Sequence, residues 1–107
     1  MSRTMTPRLP IPDEAIADFC RKWNVTEFAL FGSVIRDDFG PESDVDVLVS
    51  FTPEVRYSLF DLVHMEDDLK VIFRRDVDLV TRRAVERMLN AERKRSILES
   101  LQPVHAA

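Results

Sequence analysis

Glycine is nearly missing from this sequence. Gly32 and Gly40 are the only two in 107 residues, where ordinary usage would supply about seven. Glycine serves positions where the backbone takes unusual angles or approaches a ligand closely. The shortage therefore predicts that such backbone is gathered around residues 32–40. Cysteine is scarcer still. Cys20 stands alone, so no internal disulfide can form, and with two histidines the chain has no Cys/His set for zinc. That usage suits a reducing cytoplasm. No apolar run approaches the length of a membrane span, and Met1–Pro12 has no apolar signal core. The chain is read as soluble, not exported by that route and not bound to a membrane. It also lacks an excess of positive charge: the net charge of −4 argues against a generic nucleic-acid binder, and no direct DNA binding is expected.

What remains is an ordinary soluble composition, 45% hydrophobic and 32% charged. A chain of this length forms one domain that buries roughly 60–70% of its unfolded surface. We assign that domain to residues 11–107, behind a flexible polar arm at residues 1–10. Charge is distributed unevenly. Residues 1–69 hold six Lys/Arg against fourteen Asp/Glu, whereas residues 70–95 hold nine against four. The basic stretch reads either as solvated helix faces or as a docking surface for an acidic partner or phosphates.

Pro12-Asp13-Glu14 predicts a helix start, and Ile16, Phe19, Cys20 and Trp23 carry helical spacing to about Asn24. Phe28–Phe31, stopped by Gly32, predicts a buried strand. Residues 34–43 read as a short helical turn and a loop. Val45–Phe51 is a β-branched strand opened by two aspartates. Ser58 with Asp61 predicts a capping box for the helix that carries Leu62, Met65, Leu69, Ile72 and Phe73. Val77–Val80 predicts a third strand, and Thr81 the cap of a helix with Val85, Met88 and Leu89. A last helix with Ile97, Leu98 and Leu101 stops at Pro103. The order α-β-(α)-β-α-β-α-α describes an α/β layer on a small sheet. Asp67-Asp68 and Arg82-Arg83 are read as solvated helix faces, and His64 and His105 as surface or boundary residues.

The chemistry is concentrated between Leu30 and Val49. A strand runs into Gly32-Ser33, and ten residues later Asp44-Val45-Asp46 opens the next strand. Side chains two apart on a strand share a face, roughly 6.6 Å apart along it. Two carboxylates on one spot repel unless a cation lies between them. Magnesium takes oxygen ligands, usually a few carboxylates plus substrate phosphates. A Gly-Ser turn offers free backbone N–H groups and a hydroxyl to a phosphate. A third carboxylate is expected beside the pair. Asp76 and Asp78 both fit and share a face, so spacing alone leaves the choice open.

Gly-Ser, ten residues, then Asp-x-Asp resembles the signature of the DNA polymerase β-like nucleotidyltransferases. The surrounding residues resemble their minimal branch, the MNT domains, which are antitoxins paired with HEPN ribonuclease toxins. The resemblance runs from about Asp13 to His105. It implies an α+β fold with a small mixed sheet flanked by helices, two Mg²⁺ ions and ATP as substrate. It also implies metal binding by Asp44 and Asp46, with Asp78 as the third catalytic carboxylate and Asp76 as bystander. Gly32 and Ser33 map to the triphosphate-binding turn, and Arg36 to a family arginine placed with the nucleotide-binding residues. The chain departs from many members at Ile35 and Asp37, where Ala and Gly are common, and at His105, where a tyrosine is common. The implied activity is AMP transfer to a tyrosine hydroxyl of a cognate HEPN toxin. An antibiotic-modifying type of transferase and a binding-only antitoxin are the alternatives.

Overall fold

The stretch Val45–Phe51 is apolar at consecutive as well as alternate positions, and such a strand needs cover on both faces. A computed structural model, which describes residues 12–32 and 44–106, shows that cover. Its elements run α1 (Asp13–Trp23), β1 (Val25–Phe31), β2 (Val45–Phe51), α2 (Leu59–Phe73), β3 (Val77–Thr81), α3 (Arg82–Glu86), α4 (Ala91–Glu99) and β4 (Gln102–Ala106). The strands form one sheet in the order β3-β2-β1-β4. The pair β2–β3 is parallel, and β1 runs antiparallel to both β2 and β4. This is the small mixed sheet flanked by helices that the family resemblance implies.

Alternation along the strands sorts the two cores. On one face Leu30, Val45 and Val47 pack with Phe19 of α1 and Met65 and Leu69 of α2. On the other, Phe31 and Leu48 meet Val85 of α3 and Ile97 of α4. Complete burial of a side chain such as Leu30 or Leu48 contributes roughly 1.5–3 kcal/mol. Asp46 falls on the second face, between the buried Val45 and Val47 of the first. Cys20 lies in the first core, and burial pushes its thiol up to about 11.

Helix starts follow the local sequence. Ser58 and Asp61 form the reciprocal capping box, Thr81 Oγ1 accepts from Ala84 N–H at 3.0 Å, and Asn90 Oδ1 accepts from Arg93 N–H at 2.9 Å. Five sequence expectations are corrected. Unusual backbone is not confined to the glycine stretch: Asn24 (φ 56°) and Arg74 (φ 59°) end α1 and α2 in the left-handed conformation. In a glycine-poor chain other residues take the role of helix C-cap. The third predicted helix ends at Glu86, because Asn90 restarts the chain as α4, and Leu89 between them is fully exposed. The residues after Leu101 form β4 on the open edge of β1, where Pro103 falls beside a shift in register. Proline is tolerated at such edges and bulges. Asp68 is not merely solvated. It accepts from Lys22 Nζ at 2.9 Å and Trp23 Nε1 at 3.1 Å, tying α1 to α2. Burial alone would raise its carboxyl, but these hydrogen bonds hold it below the usual carboxylate range.

Arg82, too, is more than part of a solvated helix face. Its guanidinium grips Glu27 of β1 with two bonds, at 2.8 and 2.6 Å, and Ser50 Oγ donates to the same carboxylate at 2.9 Å. The Arg82 bonds hold the Glu27 carboxyl below its ordinary range. Bidentate pairs fix orientation as well as distance, so this clamp seats α3 on the sheet and aims the chain toward α4.

Candidate active site

The parallel pairing of β2 with β3 decides which carboxylates meet. Asp46 stands directly beside Asp78 in the register, and Val45 beside Val77. Paired residues of neighbouring strands point the same way, so both aspartates emerge on the α3/α4 face. Val45 N–H donates to Asp76 O at 2.9 Å, and one further step of the register puts Asp76 at the level of Asp44. Asp44 and Asp76 thus form the outer rung of the ladder and Asp46 and Asp78 the inner rung. Leu79 N–H, next to Asp78, donates to Glu66 Oε2 of α2 at 3.2 Å and steadies the β3 edge.

On its other side Asp46 pairs with Phe31, the last residue of β1 before Gly32. Gly32 is buried with φ +74°. A β-carbon at that position would lie 2.2 Å from Asp46 Oδ2 and 3.2 Å from its Cγ. The missing side chain of Gly32 is thus the space that the Asp46 carboxylate occupies. The reason for glycine here is both its positive φ and this close approach.

Asp46 and Gly32 open onto a cleft of about 950 Å³. Its far wall is α4, with Asn90, Arg93, Ser96 and Ser100 at helical spacing. In the sequence, α4 stands out only for its apolar residues Ile97 and Leu98. The polar stripe at 93, 96 and 100 is visible in the sequence, but nothing there says that it faces a cleft rather than solvent. Ser33 and Arg36, the remaining residues of the expected phosphate turn, lie outside the described residues.

Among the described residues, no group of three His, Cys, Asp or Glu side chains converges as a complete ion cage. The donor set nevertheless suits magnesium. It offers hard carboxylate oxygens on adjacent strands, and magnesium is usually held by one or two carboxylates, with waters and substrate phosphates completing its shell. Asp44, Asp46 and Asp78 are the residues that would hold it.

Residues 13–104 match the nucleotidyltransferase domain family. This chain belongs to that family. A Methanocaldococcus jannaschii relative named "putative protein adenylyltransferase" is 34% identical over 80 residues, 75% of this chain and 77% of that one. A solved structure described as a "putative minimal nucleotidyltransferase" superposes with a TM-score of 0.65 at 26% identity, covering 86% of this chain and 88% of that one. A chain from a crystal structure of a toxin–antitoxin with AMP-PNP superposes with a TM-score of 0.70 at 17% identity, covering 91% and 75%. At that identity the likeness speaks for the fold. This nucleotidyltransferase therefore has the minimal fold of its superfamily.

The two rungs give a direct comparison. Asp78→Asn is expected to slow nucleotidyl transfer by about a hundredfold or more, the scale of a lost general base, and Asp76→Asn to leave the rate near the parent's. Single-turnover transfer by the two variants checks this, and the reverse ranking would put the reactive carboxylate on the outer rung.

Proposed function

We propose that this nucleotidyltransferase moves AMP from ATP onto a tyrosine hydroxyl of a cytoplasmic HEPN ribonuclease toxin, and so acts as its antitoxin. The observation that carries the transfer reading is the inner rung: Asp46 lies against Gly32 in the lining of the cleft, and Asp78 stands beside it on the neighbouring strand. The cleft volume is in the range of ligand pockets, roughly 300–1,000 Å³. A protein acceptor is supported by the name of the 34%-identical relative, and a toxin partner by the likeness to the toxin–antitoxin chain. The HEPN identity and the tyrosine rest on the resemblance of the Gly-Ser and Asp-x-Asp motifs to MNT domains.

The chemistry divides among named residues. Gly32 leaves the Asp46 carboxylate against the turn where the triphosphate would lie, with Ser33 as its hydroxyl. Two magnesium ions held by Asp44, Asp46 and Asp78 would supply charge neutralisation at the attacking and leaving oxygens. Asp78 orients the acceptor hydroxyl and takes its proton. The tyrosine oxygen bonds to the α-phosphorus, the bond to the bridging oxygen breaks, and pyrophosphate leaves in line.

The acceptor comes from another molecule. Tyr57 is the one tyrosine in the chain. Its hydroxyl donates to Trp23 O at 2.7 Å, and its ring packs on Phe51, 4.9 Å between centroids. Phe51 is five residues along β2 from Asp46, about 16 Å at ordinary strand rise. The purified chain given labelled ATP and Mg²⁺ is therefore expected to label itself negligibly, and addition of the HEPN protein to place label on that protein at tyrosine. Mass spectrometry reads both. Labelling of an aminoglycoside would favour the small-molecule alternative. Toxin neutralisation by a variant lacking Asp44, Asp46 and Asp78, with no AMP added, would favour the binding-only alternative.

A further inference from the structure

We propose that Arg93 is a triphosphate-binding residue of this enzyme, reaching the nucleotide from α4 across the cleft from Asp46. The inference rests on the reading of the cleft as the nucleotide site. Among the described residues that line it, three are acidic, Asp46, Glu92 and Glu99, and one is basic, Arg93. A cleft with that balance repels a polyphosphate unless cations meet it. Asp46 sits on the sheet wall of the cleft, with any metal it helps to hold. Arg93 is the fixed positive charge on the opposite wall.

Three features hold Arg93 in place for this role. Its backbone N–H is bonded to Asn90 Oδ1 at 2.9 Å, which sets the first turn of α4. Ile97, one turn on, is buried in the α3/α4 core and fixes the rotation of the helix, so that positions 93, 96 and 100 turn to the cleft. The clamp between Arg82 and Glu27 anchors the preceding helix to the sheet. Among the described residues the Arg93 guanidinium makes no ion pair, unlike Arg82, Arg21 and Lys22. A guanidinium already bound to a carboxylate would have to break that pair to take a phosphate, whereas Arg93 is free to offer its planar donor fork to two phosphate oxygens at once.

Calorimetric binding of ATP and AMP in the presence of Mg²⁺ tests the assignment, using the parent, Arg93→Ala, Arg93→Lys and Arg95→Ala. Arg95 is exposed and does not line the cleft. The expected result is that the parent prefers ATP to AMP and that Arg93→Ala binds ATP about ten- to a hundredfold more weakly, with AMP affinity little changed. Arg93→Lys should recover part of the loss and Arg95→Ala should match the parent. An unchanged ATP affinity in Arg93→Ala would overturn the proposal, as would an equal loss for ATP and AMP, which marks a structural role. A parent that binds neither nucleotide would instead overturn the reading of the cleft itself.

Discussion

Asp46→Asn is expected to lower nucleotidyl transfer by at least about a thousandfold while the protein still folds. The size follows from the place of the carboxylate. It is the inner member of the Asp-x-Asp pair, stands beside Asp78 on the parallel strand and leans over Gly32. On the proposed function, removing its charge takes away a metal ligand and a fixed electrostatic contact at the reacting phosphate, and one such contact can be worth about a hundred- to a thousandfold. Asparagine keeps the shape, and the metal-free protein loses a like-charge repulsion with Asp78. The metal-free variant should therefore melt no lower than the parent. Asp44→Asn should behave in the same way. Single-turnover assays with melting curves on the same samples check both halves. A variant that fails to fold would show that Asp46 serves the structure rather than the reaction.

Gly32→Ala is expected to damage both stability and rate. An alanine at φ +74° bears a backbone strain of about 1–2 kcal/mol, enough to lower the melting temperature by roughly 5–15 °C in a domain of this size. The rate effect has a separate origin. The new methyl would lie 2.2 Å from Asp46 Oδ2, so the carboxylate must swing away. A displacement near 1 Å at a reacting centre can cost about a hundredfold. The rate should therefore fall by about that factor even at temperatures where the variant is fully folded. Full activity at low temperature with a lowered melting point would show that the backbone matters here and the close approach does not.

The candidate site is legible in the sequence where its signals are local. Gly32, Asp44 and Asp46 carry their meaning in spacing and residue type, and so do the caps at Ser58 and Thr81. Position 78 is legible only through family resemblance; the parallel register, a tertiary fact, adds that Asp78 shares the inner rung with Asp46. What stays hidden depends on residues far apart in the chain. Arg82 meets Glu27 across 55 positions, and Lys22 meets Asp68 across 46. β4 exists because β1 offers an edge, pairing Glu27 with Ala106, and no periodicity near Pro103 announces it. The wall of the cleft is hidden for the same reason, since only the buried Ile97 says which way α4 is turned.

Cys20 gives the protein a chemical clock. Thiolates react and thiols do not, and this thiol is both sealed in the core and pushed up to about 11. A maleimide or disulfide reagent can reach it only when α1 lifts from the sheet, and there is no second cysteine to blur the signal. The rate of alkylation of the unaltered chain then measures how often that core opens. The same reading on each substituted chain separates a lost activity from a lost fold, without an engineered cysteine.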